Sequence, residues 1–160
     1  MARPVLKGSD MHKPIGVLIA SLALSGGVGQ AADGYPAALG KPGDPAKVER
    51  AIEIGVSDDM RFSPDEVRIK RGQTIRFQVL NGGQLKHMMV LGRLAELNKQ
   101  AARMRQFPET RYAGPNAVSI EPGQTGALVW RFTRSGNFDF VCLVPGHLAA
   151  GMRGKVIVRP

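Results

Sequence analysis

The segment Val141-Cys142-Leu143-Val144-Pro145-Gly146-His147-Leu148-Ala149-Ala150-Gly151-Met152 puts a thiol, an imidazole and a thioether in one short apolar stretch. Four residues separate Cys142 from His147, and four separate His147 from Met152. One thiolate and two imidazoles in a trigonal set, with a weak axial thioether, form the donor set of a mononuclear electron-transfer copper site. The second imidazole has one good candidate, His87, within Leu85-Lys86-His87-Met88-Met89-Val90-Leu91-Gly92. The remaining histidine, His12, falls in a segment that reads as a removable leader. The expected metal ligands are therefore His87, Cys142, His147 and Met152, holding one copper ion that cycles between Cu(I) and Cu(II).

Such a centre must change little in geometry between its two oxidation states, so its donors need a rigid frame. A loop between two strands can present Cys142, His147 and Met152 together while a neighbouring strand supplies His87. Pro145-Gly146 can fold His147 back toward the metal, and Gly151 frees the backbone ahead of Met152. Leu143, Val144, Leu148 and Ala149 keep the surround dry, which helps to set the potential.

The chain supplies such a frame. Short runs with strand character separated by turns begin at Val48. Val67 and Ile69 alternate in 66–70, Ile75, Phe77 and Val79 in 74–80, and Leu128, Trp130 and Phe132 in 127–132. Further strands are expected at 51–56, 88–91, 117–120, 138–141 and 155–158. Arg71-Gly72-Gln73, Asn81-Gly82-Gly83 and Glu121-Pro122-Gly123-Gln124 supply turns, and Asp58-Asp59 reads as another. One segment departs from the pattern: Leu94, Leu97, Ala101 and Met104 recur at helical spacing within 93–106, and Pro108 stops the helix. The expected fold is all-β, a Greek-key sandwich or barrel of about eight strands with one helical insertion.

Residues 1–31 read as a secretory signal peptide. Lys7 and Lys13 precede the apolar run 15–24, and Gly29 and Ala31 are placed for cleavage before Ala32. The run is too short for a comfortable membrane span, the alternative being an uncleaved anchor. Residues 32–47, rich in Gly, Pro and Ala, read as a flexible N-terminal arm, and 48–160 as the folded domain. Export points to the periplasm, where a lone thiol must be buried or metal-bound. The net charge is +9, of which the leader carries +2 and the mature chain +7. A basic surface favours anionic partners. The cations are dispersed without interleaved aromatics, which argues against nucleic acid.

The ligand loop closely resembles that of the cupredoxins, the small blue-copper-type proteins, with the spacing of rusticyanin-like members. Met60-Arg-Phe62-Ser-Pro64, Val67-Arg-Ile69-Lys-Arg-Gly72, Phe77, Asn81 and His87 fit the same pattern. More narrowly, Phe107-Pro108 closing the helical insertion, Pro115-Asn116, Val129-Trp130-Arg131-Phe132 and Gly136-Asn-Phe138-Asp-Phe140 resemble exported cupredoxins of bacterial copper tolerance. The resemblance spans roughly 52–158. It implies electron transfer in a copper-tolerance setting by a monomer, with a cytochrome or copper oxidase as redox partner. The alternative is a copper-sequestering protein without a dedicated redox role. No catalysis is expected, since both histidines of the mature chain are taken up by the metal. Many cupredoxins follow the first His with Asn, which ties the two ligand segments together; here Met88 stands instead. Met88, Met89 and Met104 read as packing, the alternative being a second, softer Cu(I) site.

Overall fold

The computed structural model describes residues 39–160; the leader and the start of the arm lie outside them. Among the described residues, ten strands form two five-stranded sheets. In chain order they are β1 (Lys41–Pro42), β2 (Arg50–Ser57), β3 (Arg61–Ser63), β4 (Glu66–Lys70), β5 (Thr74–Asn81), β6 (His87–Gly92), β7 (Ala117–Ile120), β8 (Thr125–Arg131), β9 (Gly136–Val141) and β10 (Arg153–Arg159). A helix, α1 (Leu94–Gln106), lies between β6 and β7. One sheet runs β1-β8-β5-β2-β3 and the other β4-β10-β9-β6-β7. Both are mixed: β2 is parallel to β5 and β4 to β10, while the other pairs are antiparallel. This is the expected β-sandwich with one helical insertion.

The alternating residues do what period-2 patterning requires. Ile75, Phe77 and Val79 of β5 are fully buried, as are Trp130 of β8 and Phe140 of β9. Phe62 of β3 meets Phe140 edge-to-face with ring centroids 5.0 Å apart, which joins the two sheets near the ligand end of β9. β6 is buried along its whole length, so it reads as an apolar run rather than an alternation.

Two strands exceed the sequence expectation, β1 and β3, which span only two and three residues. The start of β1 also revises the arm. Leu39 is fully buried, Lys41 and Pro42 pair with Arg131 and Trp130, and Pro45–Lys47 forms a 3-10 turn capped by Asp44. Residues 39–47 are thus laid on the sheet. Gly40 makes this possible: its φ is +137°, and a Cβ there would fall 2.0 Å from the Arg131 carbonyl oxygen.

Helix α1 buries Leu97 and Met104. Its start has no side-chain cap of its own; the Asp139 carboxylate of β9 accepts from the Leu94 amide at 3.0 Å. Arg93 stacks over Phe138 at 5.4 Å. The insertion is therefore pinned to the strand that ends at Cys142. No helix among the described residues is long and apolar enough to cross a membrane.

Candidate metal centre

His87 is the first residue of β6, and Cys142 follows directly on the last residue of β9. These are adjacent antiparallel strands, with Val90 opposite Val141. The register brings the Met88 amide to 3.3 Å from Cys142 Sγ, to which it donates. His147 arrives through the loop between β9 and β10. Its amide donates to the Val144 carbonyl at 3.1 Å, and its carbonyl accepts from Met152 at 3.0 Å. The Cys142 amide in turn donates to the Met152 carbonyl at 3.1 Å, closing the loop. Gly146 sits at the bend with φ +90°, a conformation that suits glycine.

The result is one cluster. Donor atoms of His87, Cys142 and His147 all lie within 4.8 Å of one another, and all three residues are buried. Cys142 Sγ is 3.4 Å from His147 Nδ1, and the imidazole rings are 4.9 Å apart. Bonds of about 2.0 Å to nitrogen and about 2.3 Å to sulfur, the lengths zinc makes to these donors, put N and S about 3.5 Å apart at a tetrahedral angle. His87 Nδ1 is buried without a hydrogen-bond partner. A fully buried imidazole nitrogen left unsatisfied beside a cysteine sulfur fits a metal ligand. Nδ1 is thus the donor His87 offers, while its Nε2 faces Asp58 Oδ1 at 3.3 Å.

Met152 is fully buried and, through its backbone, touches the chain at both Cys142 and His147. Met88 links the two ligand segments through its backbone amide, and its thioether side chain adds no polar tie of the kind an Asn there would offer. The Met88 side chain lines a cavity of about 390 Å³ with Met104 and Leu143, and Met89 is fully buried in the core. Asp58 was legible from sequence only as part of a turn. Its contact to His87 spans 29 residues, and no local signal carries it.

Burial pushes the Cys142 thiol up to about 11, against the opposing pull of the Val144 and Met88 amides. Burial also holds His147 below the ordinary histidine range, helped by the neighbouring His87. Metal-free protein at neutral pH therefore carries a neutral thiol, and a metal must displace its proton. Copper loading at pH 7 is expected to release a proton from Cys142, which loading heats measured in buffers of different ionisation enthalpy will show. The raised thiol also makes a stability prediction. Its contribution is complete below pH 9, the ordinary value, and is lost as pH rises through about 11. The stability difference between metal-free wild type and Cys142→Ser should shift against wild type across that window in denaturant titrations; a difference constant with pH contradicts the burial of the thiol.

The comparisons with known proteins agree with this geometry. Residues 48–159 match the model of the family described as copper binding proteins, plastocyanin/azurin family. A copper-resistant cuproprotein CopI from Rubrivivax gelatinosus is 48% identical over 120 residues, covering 75% of this chain and 73% of that protein. A CopI from Pseudomonas aeruginosa is 33% identical over 172 residues, covering 89% and 94%. Among solved structures, auracyanin B superposes with a TM-score of 0.63 at 19% identity, over 76% of this chain and 97% of that one. Auracyanin A, a "blue" copper protein from Chloroflexus aurantiacus, superposes at 0.58 with 25% identity, over 68% and 98%. With a fold, a buried Cys-His-His cluster and a matched family model in agreement, this chain belongs to the plastocyanin/azurin family of copper-binding proteins.

Proposed function

We propose that the protein is an exported, monomeric electron carrier that holds one copper ion at His87, Cys142 and His147, with Met152 as weak axial ligand, and works in copper tolerance. The observation that carries this reading is the convergence of three buried N and S donors within 4.8 Å on a rigid sandwich. Bound copper supplies the one-electron couple. The chain's part is to hold the donors in one geometry for both oxidation states and to exclude water. The Met88 amide donates to the thiol sulfur at 3.3 Å. This bond withdraws charge from the sulfur and tunes the potential.

His147 is 8% exposed whereas His87 and Cys142 are 0% exposed, so the His147 edge is the route outward. It lies in a loop whose Leu143, Val144, Pro145, Leu148 and Ala149 border a cavity of about 440 Å³. That cavity and the adjoining one with Met88 are rimmed by Arg105, Arg153 and Arg111, while Lys86, which lines the second, is paired with Glu121. An apolar centre with a cationic rim suits a redox partner, such as a cytochrome or copper oxidase, with an acidic docking face. A carrier rather than a catalyst follows from the donor set, which leaves neither imidazole for acid-base work.

The relatives named copper-resistant cuproprotein favour a second reading, a protein that holds copper without passing electrons. Mixing Cu(I) and Cu(II) protein and following NMR line broadening separates the two. Fast self-exchange is the expected result; exchange too slow to broaden the lines supports copper holding instead. Loss of copper tolerance on deletion is expected under both.

Met152→Leu should keep copper and raise the reduction potential, because an apolar branch no longer donates to Cu(II). The swap nearly conserves volume, so folding should change by less than about 1.5 kcal/mol. Voltammetry of the loaded variant checks this, and a folded variant that cannot bind copper contradicts an axial role.

A further inference from the structure

Asp58 lies in the turn between β2 and β3, 29 residues before His87. Its carboxylate is wrapped by the loop that leads into β6. Oδ2 accepts from the Gln84 amide at 2.7 Å, and Oδ1 accepts from the Leu85 amide at 3.1 Å. The same Oδ1 faces His87 Nε2 at 3.3 Å. Gly83 allows this close wrap: a Cβ there would fall 2.1 Å from Oδ1. At the other ring nitrogen, Nδ1 is buried without a hydrogen-bond partner, and His87 offers one ring nitrogen to the cluster with Cys142 and His147. The ring is therefore clamped between a carboxylate at one nitrogen and the metal position at the other.

We infer that Asp58 is a positioning residue for the copper centre: it fixes His87 with its proton on Nε2 and so presents Nδ1 as the metal donor, favouring Cu(II) over Cu(I). This rests on the copper reading above. The physical reason is direct. A carboxylate accepting the outer N–H of a ligating imidazole sets the tautomer, orients the ring and raises its basicity as a donor. Its negative charge, close to a ring that is fully buried, adds to the preference for the higher oxidation state. The neighbouring Asp59 does none of this, since its carboxylate is occupied by the Ser57 hydroxyl at 2.6 Å and the Arg61 amide.

The test compares the full-length copper protein with Asp58→Asn, Asp59→Asn and Gly83→Ala. Asp58→Asn is expected to weaken Cu(II) binding about 10- to 100-fold, the usual cost of losing such a partner. With Cu(I) binding less affected, each tenfold of that preference raises the potential by about 59 mV. Gly83→Ala keeps the charge but displaces the carboxylate, and should move the potential the same way. Asp59→Asn removes an equal charge without touching His87, and should move it little. In the diamagnetic Cu(I) protein the His87 Nε2–H proton should be seen by NMR in wild type and shift in Asp58→Asn and Gly83→Ala. An unchanged potential and an unchanged Nε2–H signal in both variants, with copper bound as in wild type, overturn the inference alone. Equal shifts in Asp58→Asn and Asp59→Asn, with Gly83→Ala unchanged, overturn it in favour of a bulk charge effect. A wild-type protein that lacks the thiolate-to-copper absorption overturns both the inference and the copper reading.

Discussion

Cys142→Ser is expected to abolish the intense visible absorption of the Cu(II)-loaded protein while leaving the sandwich folded. The absorption arises when thiolate electron density moves to copper, and Cys142 is the sole cysteine of the chain. Its sulfur is 3.4 Å from His147 Nδ1 and is fully buried at the end of β9. Serine preserves the shape and can still accept from the Met88 amide, so the fold should lose no more than about 1–3 kcal/mol, the cost of a poorly satisfied buried hydroxyl. The chemistry is not preserved. A hydroxyl is a harder donor that holds its proton more firmly, which leaves two imidazoles and the weak Met152 thioether to retain copper. Visible absorption and bound metal, measured together through a copper titration, check this. Bands that survive the substitution would place the copper elsewhere.

The second large effect concerns the frame. Phe140→Ala should cost about 3–5 kcal/mol, a large part of the 5–15 kcal/mol that holds a typical domain together. Phe140 is fully buried and bridges the two sheets through its edge-to-face contact with Phe62. It also lies across from Gly154 in the β9–β10 register, and its ring occupies the space that a side chain there would fill, 2.2 Å from the Cβ position. Nothing can move in to close the cavity cheaply, because the glycine has no side chain to offer. Phe140 stands two residues before Cys142, so the loosening reaches the ligand strand. Urea denaturation of the metal-free variant should show the midpoint fall with an unchanged slope. Copper should restore part of the loss by mass action, about 2.7 kcal/mol at a hundredfold excess over Kd. A loss under about 1 kcal/mol contradicts the pinned ring.

Much of this frame was legible in the residues, and the misses have physical reasons. Strands β5 and β8 announce themselves because one face meets the core, and Phe77 and Trp130 fall where alternation puts them. Helix α1 was found by its apolar spacing, although only Leu97 and Met104 of the stripe are buried. Strands β1 and β3 are too short to show any period. Residues 39–47 read as an arm because Gly and Pro usually mark loops; here Gly40 serves a close approach to Arg131. At the site, residue type and spacing pointed to His87, Cys142 and His147, because few side chains can hold a soft metal. Asp58 was hidden, since a carboxylate in a turn looks the same whether or not a buried imidazole stands beside it.

The measurement that tests the central claim most directly is an optical titration of the metal-free protein with Cu(II). If His87, Cys142 and His147 form one trigonal site, an intense visible band should grow linearly and stop at one equivalent. Only weak absorption, of the kind copper shows with nitrogen and oxygen donors alone, would contradict the account.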